Sequence, residues 1–182
     1  MARADMGSFS DAHESDYIAL LAASQHRLVN PRQLQIWAVL RPELSCGEIR
    51  RMLVNGFLGR LCLSGALQNL NPEQWRMVTE ALALYRAAVP VIRDGFTKVF
   101  SEAGCGLRHR GGGQVVVRVS SAGDALLVVA TGHQVSRVDL AAVMPSPGAG
   151  RSWRVSGAMR GLHDEMRIDG TEARLLLSDA GL

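Results

Sequence analysis

The sequence predicts an α/β half followed by an all-β half. Up to about residue 90, helix-period segments alternate with short apolar runs; beyond it, turns separate short, β-branched runs. The length of 182 residues excludes a complete (β/α)8 barrel, which needs roughly 250 residues. With 47% hydrophobic and 20% charged residues, the composition is that of a folded chain rather than a disordered one.

The first helix is predicted from about Ala12 to Val29. Asp11 stands at the N-cap position, with Glu14 three residues on in capping-box spacing. Ile18, Leu21 and Leu28 give an apolar side, and Pro31 stops the helix. Gln35–Leu40 reads as a buried strand, continuously rather than alternately apolar. A second helix follows from about Ser45 to Leu58, with Ile49, Met52, Leu53 and Phe57 on one face. Arg60–Ser64 is a second buried strand, ended by Gly65.

Asn71 is a good N-cap for the third helix, Pro72 suits its first turn, and Pro90 is expected to end it. Its predicted apolar face is Trp75, Val78, Leu82 and Tyr85. Helix, strand, helix, strand, helix is the order of a parallel α/β sheet. Two buried parallel strands need neighbours on both faces and edges, so the first half is expected to lack part of its sheet.

In the second half, Gln114–Val119 and Ala125–Thr131 form a predicted hairpin across residues 120–124. Strands are also expected at Trp153–Ser156, Met166–Ile168 and Ala173–Ser178, with a tight turn at Asp169-Gly170.

Composition limits the function classes. The net charge of +3 comes from 19 Arg and Lys98 against 17 acids, spread evenly over both halves, and Arg50-Arg51 is the only adjacent basic pair. Nucleic-acid binding needs a concentrated basic stripe, so that class is not expected. No apolar run spans a bilayer and no signal-peptide core is present, so neither a membrane partner nor secretion is expected. Cys46, Cys62 and Cys105 lack CxxC spacing, which points to incidental thiols in a reducing, cytoplasmic setting.

Local motifs yield no independent active site. His13, Glu14 and Asp16 do not converge on one point of a helix, so a solvated first turn is expected rather than a metal site. His26, beside Arg27, reads as a surface or interface side chain. Trp37, Trp75 and Trp153 read as packing residues rather than sugar platforms. Gly111-Gly112-Gly113 precedes a strand rather than a helix and is a turn, not a phosphate cradle; no cofactor is expected.

Four segments, in order, resemble glycoside hydrolase family 36 α-galactosidases. They are Phe9-Ser10-Asp11-Ala12-His13, Gln35-Ile36-Trp37-Ala38-Val39, Phe57 to Gly65, and Asn71-Pro72-Glu73-Gln74-Trp75. The resemblance implies the last third of a (β/α)8 barrel, units six to eight, in residues 1–90, and a small antiparallel β-sandwich domain in residues 91–182. Phe9-Ser10-Asp11 would close strand six, Ile36–Leu40 would be strand seven and Leu61–Ser64 strand eight.

The family hydrolyses terminal α-galactosides with retention. By resemblance Asp11 is the acid/base, while the family nucleophile on strand four has no counterpart in this sequence. Two positions depart from the family pattern: Ser8 replaces a frequent Trp, and Ser64-Gly65-Ala66 replaces Ser-Gly-Asp. The resemblance therefore implies a glycoside hydrolase fragment, inactive alone, whose ligand is an α-galactoside or oligosaccharide. The partners it implies are a complementary barrel fragment, completing a site in trans, or further copies of the chain.

Overall fold

The computed structural model describes residues 5–8, 15–101, 114–120, 126–131, 136–139, 153–156, 165–168 and 174–178. These form a mixed α/β structure with no closed barrel: a parallel strand pair covered by helices, then antiparallel sheets.

Helix α1 spans Ser15–Gln25, so it ends four residues before the predicted Val29. The Ser24 hydroxyl donates to the Leu21 carbonyl at 2.7 Å, the local competition that weakens a helix end. A tight turn follows, and Leu28, expected on the apolar side, is 80% exposed there. Ile18, Ala19, Ala22 and Ala23 make the buried face instead.

Strand β1, Gln35–Leu40, falls where predicted, but its burial alternates. Ile36, Ala38 and Leu40 are fully buried against helices; Gln35, Trp37 and Val39 on the other face are half-buried. Strand β2, Arg60–Gly65, runs parallel to β1 and pairs Gln35 with Arg60 through to Leu40 with Gly65. It too is half-buried rather than buried. On the far side of β1, Gly7 bridges Leu34 in parallel, through Gly7 N–H to Gln33 (2.8 Å) and Gln35 N–H to Gly7 (2.9 Å). The sequence therefore lays down three parallel segments in the order Gly7, β1, β2.

Helix α2, Cys46–Asn55, starts at a Ser45 cap, with Glu48 reaching back to the Ser45 N–H at 2.8 Å. Its predicted last turn is a 3-10 turn, Gly56–Leu58. Helix α3, Pro72–Asp94, begins at Asn71 as predicted but runs through Pro90. Proline removes one N–H and frees the carbonyl four residues earlier. Pro90 and Arg86 are both exposed, on the solvent side of the helix, while Ala88, Val91 and Ile92 are buried and hold the helix onward. Tertiary burial overrides the local stop signal.

Two core clusters result. One packs Ile18, Leu34, Ile36, Phe57, Val91 and Ile92 together; the other joins Ala38, Leu40, Ile49, Leu53 and Val78.

Strand β3 (Phe96–Ser101) follows α3 directly and was not predicted. It forms the edge of a five-stranded antiparallel sheet, ordered β3, β4 (Gln114–Val119), β5 (Leu126–Thr131), β9 (Arg174–Ser178), β7 (Trp153–Ser156). The predicted pairing of β4 with β5 is present, from Gln114–Thr131 to Val119–Leu126. Strand β6 (Ser136–Asp139), also unpredicted, pairs with β8 (Glu165–Ile168) in a separate sheet. Hence β8 and β9, which flank Asp169-Gly170, are not hairpin partners; the turn itself lies outside the described residues. Helices α2 and α3 lie against β5.

Candidate functional site

In a parallel sheet, loops at the strands' carboxyl ends gather functional groups. Here those ends are Leu40 and Gly65. Ala66 N–H donates to Leu40 at 2.9 Å, and Gly65 adopts a φ of 98°. A Cβ at position 65 would lie 2.1 Å from the Leu40 carbonyl oxygen, so only glycine permits this approach.

The loops beyond both strands are tied together by Gln74, only 2% exposed. Its backbone N–H donates to Asn71 Oδ1 at 2.9 Å, and its Oε1 accepts from Asn71 N–H at 3.0 Å. The amide nitrogen donates to the carbonyls of Pro42 (3.1 Å) and Leu44 (3.0 Å). One side chain thus caps α3 and clamps the loop after β1.

The strand face turned away from the helices carries Gln35, Trp37 and Val39 beside Arg60, Cys62 and Ser64. None is a carboxylate. Asp11, the predicted acid/base, lies outside the described residues, as do His13 and Glu14. Cys105 and Gly111-Gly112-Gly113 lie outside them as well. Among the described residues no group of His, Cys, Asp and Glu could hold a metal ion. Trp37 is half-buried, as a packing residue should be, whereas Trp75 is 40% exposed.

Along the edge of β2 facing away from β1, the Tyr85 hydroxyl accepts from Leu61 N–H (3.1 Å) and donates to the Gly59 carbonyl (2.9 Å). Burial pushes the Tyr85 phenol pKa up.

The opposite end of the molecule holds two groups that local patterns do not reveal. Arg118 on β4 is 2% exposed. Its guanidinium donates to the carbonyls of Val91 (3.1 Å), Ile92 (2.9 Å) and Gly95 (2.5 Å), and to Thr97 Oγ1. The last carbonyls of α3 are thereby satisfied by a cation at the negative end of the helix dipole. Burial lowers the Arg118 pKa to about 10, with Asp94 acting the other way.

His26, expected as a surface or interface side chain, is largely buried: Nε2–H donates to the Leu58 carbonyl, and Nδ1 has no partner among the described residues. Burial lowers its pKa to about 4; the Leu58 carbonyl opposes this and the Arg118 charge adds to it. The long-range pairing of β4 with β3, which brings Arg118 to α3, has no signature within either segment.

No protein-family sequence model matches the chain, and no curated protein matches it by sequence. Solved structures do match it. The galactosidase domain of the alpha-galactosidase-sucrose kinase AgaSK aligns with a TM-score of 0.60 at 12% identity. The GH36 alpha-galactosidase AgaA from Geobacillus stearothermophilus aligns at 0.62 and 10%, and an AgaA variant in complex with raffinose at 0.62 and 9%. Each alignment covers 93% of this chain and 25% of the other, so the chain spans about a quarter of the structures it matches. At these identities the likeness is one of fold: a distant GH36-like fold. No helix among the described residues is long and apolar enough to cross a membrane.

Proposed function

We propose that this chain is a segment of an α-galactosidase-type glycoside hydrolase, carrying barrel units six to eight in residues 1–90 and a β-sandwich in residues 91–182. The observation that carries the reading is the parallel order Gly7, β1, β2, followed by α3 and an antiparallel sheet, aligned over 93% of the chain with GH36 enzymes. A glycosidase of this type takes a terminal α-galactoside or oligosaccharide as its ligand.

Retaining hydrolysis needs two carboxylates about 5–5.5 Å apart, one a nucleophile and one an acid/base. Asp11 is assigned the acid/base role: it protonates the glycosidic oxygen, then takes a proton from the water that releases the sugar. A carboxyl at the carboxyl end of a barrel strand faces the substrate cleft. These 182 residues supply no nucleophile, so they are inactive alone. A nitrophenyl α-galactoside assay tests this; turnover by the isolated chain that disappears in Asp11→Ala overturns it.

A second reading makes the chain an interaction subunit that completes such a site in trans. The outer edge of β2 favours it. Arg60 N–H and Ala66 N–H point to β1, while no described strand pairs with the other edge, where the Tyr85 hydroxyl serves Leu61. An open parallel edge is a template for a further strand. Co-purification with a barrel fragment supports this reading; an inert monomer that ignores such a fragment argues against it.

A further inference from the structure

The two edges of the parallel pair show one hydrogen-bond pattern from two different sources. On the β1 side, Gly7 donates its N–H to the Gln33 carbonyl (2.8 Å), and its own carbonyl accepts from Gln35 N–H (2.9 Å). One residue of a parallel strand serves its neighbour in this way, giving one bond and taking another two residues further on. On the β2 side, the Tyr85 hydroxyl donates to the Gly59 carbonyl (2.9 Å) and accepts from Leu61 N–H (3.1 Å), again two residues apart. A single side-chain oxygen from α3 thus stands where a strand residue opposite Arg60 would stand.

Beyond Tyr85 the edge is open. Arg60 and Ala66 turn their N–H groups to β1. Because a strand alternates, the Leu61 carbonyl, both backbone groups of Leu63 and the Gly65 N–H face the other way. No described residue is hydrogen-bonded to any of them. Gly65 is exposed, and Leu61 to Ser64 are half-buried. These open groups match a neighbour that pairs opposite Cys62 and opposite Ser64. The neighbour's intervening residue falls on the side of Leu61 and Leu63, whose side chains pack against the core beneath β2, so an apolar residue fits there.

We propose that the outer edge of β2 docks one short parallel strand, and that Tyr85 sets its register by barring the place opposite Arg60. The strand pairs opposite Cys62 and Ser64 with an apolar residue between. The inference rests on the second reading above, which supplies the partner: a strand of a barrel fragment, as this chain spans about a quarter of the structures it matches.

Amide hydrogen exchange tests it, on the full chain alone and mixed with a family 36 segment carrying barrel strands one to five. Hydrolysis of an α-galactoside is read on the same mixture. In the free chain, Leu61 N–H should exchange at least about tenfold more slowly than those of Leu63 and Gly65. In the mixture, Leu63 and Gly65 should slow by at least about tenfold, with Leu61 unchanged. Tyr85→Phe deletes the hydroxyl but keeps the ring edge-to-face with Phe57, centroids 5.3 Å apart. Leu61 should then exchange fast in the free chain and slowly in the mixture, the ladder having gained one residue.

Binding, or hydrolysis, that leaves Leu63 and Gly65 unprotected overturns the docking site alone. So does protection that appears on β3 instead, or Leu61 exchange indifferent to Tyr85→Phe. Protection without hydrolysis would count against the acid/base reading and leave the docking site standing. A segment that does not bind at all overturns the second reading and the docking site together.

Discussion

The two ends of α3 are completed in opposite ways. At its start, Asn71 and Gln74 exchange hydrogen bonds across three residues, with Pro72 between them. At its finish, the carbonyls of Val91 and Ile92 accept from Arg118, which arrives on β4 from 27 and 26 residues away. The first end is local chemistry that a short peptide contains. The second exists only once the sheet has formed, so it joins the helical half to the β half.

Substitutions should expose that contrast. Replacing Arg118 by Met leaves the Ile92 carbonyl without the guanidinium donor and the Val91 carbonyl with the Gly95 N–H alone, and stability should fall by about 3 kcal/mol in urea unfolding. A loss no larger than that of a cap substitution would break the contrast.

His26 gives the same end a pH signature. Its pKa is about 4 in the folded protein against 6.5 for a free imidazole, so the unfolded chain binds the extra proton first. The stability that neutral His26 contributes is complete above pH 6.5 and is lost as pH falls towards 4, by up to about 3 kcal/mol. Unfolding curves of His26→Gln across that window should show a flatter pH dependence than the parent. An equal slope in both would contradict the burial of the ring.

The local end should respond less. Gln74→Met removes the clamp on Pro42 and Leu44, with an expected loss of about 2 kcal/mol. Asn71→Ala removes a single cap and should cost about 1 kcal/mol, read as a small drop in melting temperature. If Asn71→Ala proved the more damaging of the two, the clamp on the β1 loop would carry less than its burial implies.

This contrast also explains what the sequence disclosed. Asn71-Pro72, the run Gln35–Leu40 and the runs at Gln114–Val119 and Trp153–Ser156 each contain their own signal, and each became the expected element. Pro90 misled because the stop rule weighs one lost N–H and not the burial of Ala88, Val91 and Ile92 beyond the reach of local pattern. Strand β3 went unread because Phe96–Ser101 lacks a clean alternation and depends on pairing with β4. Arg118 looked like an ordinary strand residue, and His26 like a neighbour of exposed Arg27, because their partners are distant in sequence. The acid/base reading of Asp11 rests on family resemblance alone; by local pattern Asp11 reads as a helix cap.

The most direct measurement of the central proposal is complementation. The chain is mixed with a separately produced segment carrying barrel strands one to five of a family 36 enzyme, and α-galactoside hydrolysis is followed. The account predicts no turnover from either part alone, turnover from the mixture, and its loss in Asp11→Asn. Turnover by this chain alone, or a mixture whose activity is indifferent to Asp11→Asn, would contradict it.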